Sequence, residues 1–185
     1  MTHIKTAGGI PVGASTGFNL YSPTIVRGLR RDELRQMARD FGDAVRTARD
    51  SGFDCVEVHA GHGYLISQFL SPYTNRRRDE YGGSLDNRMR LMRMCMEEVM
   101  KAAGSDMGVL VKTNMRDGFK GGLETDDCIT VARELERLGA HALVLSGGFV
   151  SKAPMYVMRG EMPIYTMTHY MNCLLYTSPS PRDRS

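Results

Sequence analysis

Three short apolar segments, each ending in a polar or glycine-rich stretch and separated by helix-length intervals, constrain this chain more than any other feature. They are Phe53–His59 (FDCVEVH), Gly108–Asn114 (GVLVKTN) and Ala142–Ser146 (ALVLS). Between and before them lie segments of helical period. Over Asp32–Ser51, Leu34, Met37, Phe41, Ala44 and Ala48 recur at helical spacing, and Gly52 suits a C-terminal cap. Ser84–Ala103 repeats the pattern with Ser84 as N-cap and Leu85, Met89, Met92, Met96 and Val99 as its apolar stripe. Thr125–Leu138 does so a third time, with Thr125 as cap and Gly139 as terminator. Residues 1–30 read as loop with one short extended piece. Strands alternating with helices of this length predict a parallel sheet joined by right-handed crossovers.

Strand parity says where a site belongs. Cys55, Glu57 and His59 share one face of their strand, with Val56 and Val58 on the other. Leu110, Lys112 and Asn114 oppose Val109 and Val111, and Val144 and Ser146 oppose Leu143 and Leu145. Each strand thus has an aliphatic face for helices and a second face carrying Glu57, Lys112 or Ser146. A charged second face suits a barrel interior better than a doubly wound sheet, and no GxGxxG follows any strand. Ligands of parallel α/β folds sit at the carboxyl ends of strands, which here run into HAGHGY, NMRDGFKGG and SGGF.

Composition removes other classes. Lys+Arg 24 against Asp+Glu 21 gives a net charge of +3, too balanced for a nucleic-acid-binding surface. No apolar run approaches the ~18 residues of a membrane span, and Met1–Ile10 has no secretory apolar core. Four cysteines (Cys55, Cys95, Cys128, Cys173) lack CxxC spacing, as expected of a reducing, cytoplasmic setting. Cys173–Ser185 (CLLYTSPSPRDRS) has no periodicity and matches one reading frame of a transposase-type sequencing adapter. The expected division is therefore a barrel domain over 1–172 and a disordered read-through over 173–185.

From residues alone the chemistry stays open. His59 and His62 form an HxxH pair that suits metal ligands of a barrel hydrolase as well as paired hydrogen-bond donors. Glu57 and Lys112 suit a purely structural ion pair as well as a site. A third possibility is an inert remnant with no catalysis of its own.

The stretch Cys55–Arg88, CVEVHAGHGYLISQFLSPYTNRRRDEYGGSLDNR, narrows these readings. It resembles the old yellow enzyme family of FMN-dependent ene-reductases and NADH:flavin oxidoreductases. The family pattern is a strand ending VEIH, then H-x-x-H/N-x-Y, QFLSP, N-x-R-x-D-E-Y-G-G-S and N-R. His59, His62, Tyr64, Gln68, Ser71, Pro72, Asn75, Arg77, Asp79, Glu80, Tyr81, Gly82, Gly83, Ser84, Asn87 and Arg88 match it. The likeness continues through Lys112, DGFKGGL and LVLSGG, covering roughly residues 8–172.

The resemblance implies an α/β fold, a partial (β/α)8 TIM barrel of about three central units. It implies FMN as cofactor, NAD(P)H as reductant and an enone-type small molecule as acceptor. His59 and His62 match the pair that binds the substrate carbonyl oxygen, and Tyr64 matches the proton donor. Lys112 matches the cation beside the flavin N1/O2 edge, and Arg77 and Asp79 match a structural loop. No metal ligand is implied, and a homo-oligomeric parent stays open. A full barrel needs ~250 residues, so the chain is expected to be an internal fragment. By itself it is expected to be inactive and unable to hold FMN tightly.

Overall fold

A computed structural model describes residues 10–11 and 23–152. Four strands form one parallel sheet: β1 (Ile10–Pro11), β2 (Cys55–Ala60), β3 (Gly108–Asn114) and β4 (Ala142–Ser146). Six helices join them: α1 (Pro23–Gly28), α2 (Arg31–Asp50), α3 (Leu65–Leu70), α4 (Leu85–Arg88), α5 (Arg90–Ala103) and α6 (Thr125–Arg137). The adapter-like segment 173–185 and the methionines Met155, Met158, Met162 and Met167 lie outside the described residues.

The strand order is sequential, β1-β2-β3-β4, with every pair parallel. Doubly wound sheets reverse direction at a switch point, whereas barrel strands run in order and send their crossovers to one side. The ladder pairs Val56 with Val109, His59 with Lys112 and Asn114 with Ser146. That register aligns the carboxyl ends of β2, β3 and β4, so their following loops meet.

The helices cover the aliphatic face. Val56, Val58, Val109 and Val111 are fully buried, each worth roughly 1.5–3 kcal/mol of apolar burial. The same core holds Leu34, Phe41 and Val45 of α2, Met92, Cys95, Met96 and Val99 of α5, and Val131 and Leu135 of α6. Helices α2 and α5 approach closely at Gly42, where a Cβ would stand 3.1 Å from the Glu98 carbonyl oxygen. The other sheet face, with Glu57 and Lys112, is only half-buried.

Three details differ from expectation. The segment read as one helix from Ser84 breaks at Met89 into α4 and α5, with Ser84 Oγ accepting the Asn87 N–H at 3.3 Å as a true N-cap. Thr125 is the first helical residue of α6, not its cap; Glu124 holds the extended cap position without a side-chain bond. Helix α3 was hidden because all six of its residues are buried, leaving no polar stripe to mark a period.

Candidate active site

His59 ends the inward-facing row of β2, and the chain then turns through Gly61-His62-Gly63 into Tyr64, the N-cap of α3. The glycines are required by contact. A Cβ on Gly61 would lie 2.8 Å from Asn114 Oδ1, and one on Gly63, whose φ is +84°, would lie 2.5 Å from the Phe149 ring. His62 itself has φ of +60°, alone among described non-glycine residues, a conformation costing about 1–2 kcal/mol. Three bonds hold it there. Its N–H donates to Asn114 Oδ1 at 2.9 Å, its carbonyl accepts from Val150 N–H at 3.0 Å, and its Nε2 meets Ser146 Oγ at 2.6 Å.

The turn gathers three rings. His59 and His62 have centroids 5.0 Å apart at 88°, and His59 and Tyr64 stand 4.8 Å apart at 60°. Ser67 Oγ accepts the Gly63 N–H at 3.1 Å, and Gln68 Nε2 donates to the Gly63 carbonyl at 2.8 Å. These two buried side chains of α3 brace the loop from behind.

Beside the rings, Lys112 Nζ lies 3.1 Å from Glu57 Oε1, with side chains 31% and 20% exposed. Burial, then the neighbouring His62 and Lys112, pulls the His59 pKa down to about 4. Burial and Lys112 lower His62 as well, against the opposing pull of Glu57. Both rings are therefore neutral near pH 7, and each carries one N–H. His59 Nδ1 accepts from the Gly61 N–H at 3.3 Å, which leaves its proton on Nε2.

Asn114 and Asp117 join the site although neither was assigned a role from sequence. Asn114 Nδ2 donates to Asp117 Oδ1 at 3.0 Å and to the Gly148 carbonyl at 2.9 Å. With Oδ1 on His62, one amide ties together the loops after β2, β3 and β4. Asp117 is fully buried, and its Oδ2 accepts the Leu123 N–H at 2.7 Å. Burial pushes its carboxyl pKa up, against the donors from Leu123 and Asn114. The only sequence signal was that Asn114 and Ser146 close the inward rows of their strands.

The N-x-R-x-D-E-Y-G-G-S segment forms scaffold. Arg77 Nη1 donates to the carbonyls of Val26 and Leu29 at 2.7 and 2.8 Å, tying down the C-terminal end of α1. Its Nε and Nη2 form a two-pronged pair with Asp79 at 3.0 and 2.6 Å. Asn75 Nδ2 bridges the carbonyls of Phe69 and Tyr81, both at 2.7 Å, and Arg88 Nε bonds the Leu70 carbonyl at 2.7 Å. No described residue of this segment bonds His59, His62 or Tyr64.

The metal reading finds no support in the side-chain arrangement. His59 and His62 gather no third His, Cys, Asp or Glu in ligand geometry among the described residues. Glu57, the carboxylate beside them, is held by Lys112. The inward face instead offers a half-exposed ammonium and neutral imidazoles, donors that suit an electron-rich planar ring and a carbonyl oxygen.

Known proteins resemble this chain in sequence and fold. The chain is 43% identical over 141 residues to 4,4′-dithiodibutanoate disulfide reductase of Rhodococcus erythropolis, covering 76% of this chain and 35% of that protein. It is 38% identical over 129 residues to an NADPH dehydrogenase of Listeria welshimeri, covering 68% and 37%. An old yellow enzyme homologue from Zymomonas mobilis superposes with a TM-score of 0.61 at 27% identity, covering 78% of this chain and 46% of that one. The chain thus spans little more than a third of the length of these curated relatives. The four-stranded sheet and its helices correspond to part of a TIM barrel. The profile of the NADH:flavin oxidoreductase / NADH oxidase family matches residues 7–172, and the chain belongs to that family.

Proposed function

We propose that this chain is the central part of an FMN-dependent oxidoreductase that takes reducing equivalents from NAD(P)H and saturates an activated alkene. The observation that carries the reading is the convergence of His62 and Tyr64 on His59 at the strand ends, each ring centred within 5.0 Å of the His59 ring. A bound FMN would supply hydride transfer, from NAD(P)H to the alkene carbon β to a carbonyl.

The residues of this chain do the rest. His59 Nε2–H, with a second N–H from His62, hydrogen-bonds the substrate carbonyl oxygen. Both donors strengthen as negative charge grows on that oxygen, which is how an oxyanion hole lowers a barrier. Neutral rings serve this best, since each stays a fixed dipole at working pH. The Tyr64 ring stands beside His59, and its hydroxyl delivers a proton to the carbon α to the carbonyl; a developing carbanion is basic enough to take it from a phenol. Lys112 provides a fixed positive charge for the electron-rich edge of the flavin, and Glu57 holds the ammonium in place. The proposed oxidoreductase region is the stretch that the family profile matches, residues 7–172.

The test uses the full-length enzyme recovered by extending the source DNA past codon 172. The expected product is a yellow protein that releases FMN on denaturation and couples NAD(P)H oxidation to saturation of 2-cyclohexenone. A colourless protein whose activity disappears on chelation would overturn the reading in favour of a metal hydrolase.

A further inference from the structure

The two imidazoles use their ring nitrogens in opposite ways. His59 Nδ1 accepts a backbone N–H, so Nε2 is its donor. His62 turns Nε2 toward Ser146 Oγ at 2.6 Å, across 84 positions of sequence, and its Nδ1 has no partner among the described residues. Ser146 is the last residue of β4 and 5% exposed. His62 Nε2 is the only hydrogen-bond partner of its hydroxyl among the described residues. If His62 carried its proton on Nε2, the buried Ser146 proton would have no acceptor. With the proton on Nδ1, Nε2 accepts the hydroxyl and both groups are satisfied.

We propose that Ser146 is a positioning residue for His62: its hydroxyl donates to Nε2, holds the ring as the Nδ1–H tautomer, and leaves that proton for the substrate oxygen. The inference rests on the reading of His59 and His62 as paired donors. A neutral imidazole has one N–H, so its tautomer decides whether the ring offers a proton or a lone pair to an incoming oxygen. The partners are held from both sides. Asn114 fixes the His62 backbone at 2.9 Å, and Met115 N–H fixes the Ser146 carbonyl at 2.7 Å. These bonds fix the backbone of both partners, and the ring and hydroxyl hold each other through the 2.6 Å contact.

The test compares wild type, Ser146→Ala, Ser146→Thr and His62→Ala in the full-length, flavin-loaded enzyme. Ring 15N shifts of selectively labelled histidine report the His62 tautomer, and titration with 4-hydroxybenzaldehyde reports binding of an oxygen ligand. Wild type should show Nδ1–H. Ser146→Ala should move His62 to Nε2–H and weaken the aldehyde about tenfold, the size of one ordinary hydrogen bond, and Ser146→Thr should restore both. Wild type showing Nε2–H overturns the proposal and, because Nδ1 then presents a lone pair, His62 as a donor with it; a tautomer that stays Nδ1–H in Ser146→Ala overturns the proposal alone and leaves the paired-donor reading standing. A tautomer that moves while neither Ser146→Ala nor His62→Ala changes binding upholds the hold of Ser146 on the ring and overturns the donor reading.

Discussion

Asn114 Oδ1 accepts the backbone N–H of His62 at 2.9 Å, joining residues 52 positions apart. That bond holds a β-carbon-bearing residue at φ of +60° beside the site. The other two bonds of the same amide reach Asp117 and Gly148. Replacing it by Asn114→Leu keeps the branched shape and strands three polar partners. Each buried unpaired group costs about 1–3 kcal/mol. Urea denaturation of the full-length enzyme should therefore show a loss of at least about 2 kcal/mol, whereas an unchanged midpoint would mean that the loops are held by other contacts.

Two glycines with the same backbone hand should respond differently to alanine. Gly63 (φ +84°) faces the Phe149 ring, and Gly83 (φ +81°) faces open space. Gly83→Ala should cost only the left-handed backbone penalty, about 1–2 kcal/mol. Gly63→Ala should add the clash, roughly another 1–3 kcal/mol. Equal denaturation midpoints for the two variants would contradict the close packing of Phe149 on the turn.

Tyr64→Phe removes the proposed proton while keeping the ring that packs 4.8 Å from His59. Flavin reduction by NAD(P)H should stay near wild type, and reoxidation by enones should slow by about 10²–10⁴-fold. Quinones, which need no proton on carbon, should reoxidise at the normal rate. Stopped-flow traces with enones and quinones slowed equally would contradict the assignment.

Acid should weaken the fold through His59. Its folded pKa is about 4 against an ordinary 6.5, so folding favours the neutral ring. Above about 6.5 both states are neutral and the contribution is complete. As pH falls, the unfolded chain takes up a proton that the folded one refuses, and the contribution drains away until the folded ring protonates near 4. The lowered His62 acts in the same direction. Denaturation free energies measured between pH 7 and pH 4 should fall more steeply for wild type than for His59→Gln. Identical slopes would show that the ring is not desolvated in solution.

The legible part of the fold was the part written in local pattern. Strands Gly108–Asn114 and Ala142–Ser146 fall where apolar runs meet polar ends. Gly52 and Gly139 end their helices with positive φ, as glycine past a last apolar residue implies. The pairing of Ile10–Pro11 with Val56–Glu57 was beyond such reading, because two residues carry no period. At the site, His59, His62, Tyr64 and Lys112 could be picked out because their motif is continuous or ends a strand. Asn114 and Asp117 could not be given roles, since their work is a contact between distant loops that no spacing encodes. The positive φ of His62 was masked by its flanking glycines, either of which could have absorbed the turn.

The proposed reaction depends above all on His59 and His62 as donors to one oxygen. The direct measurement is anaerobic stopped-flow of the full-length enzyme with each histidine replaced by alanine, and with both replaced. Loss of an oxyanion donor costs about 2.7–4 kcal/mol, or roughly 10²–10³-fold. Reoxidation of the reduced flavin by 2-cyclohexenone should fall by that order in each single variant and further in the double, while reduction by NAD(P)H changes less. Enone reoxidation that survives the double substitution at the wild-type rate would contradict the account.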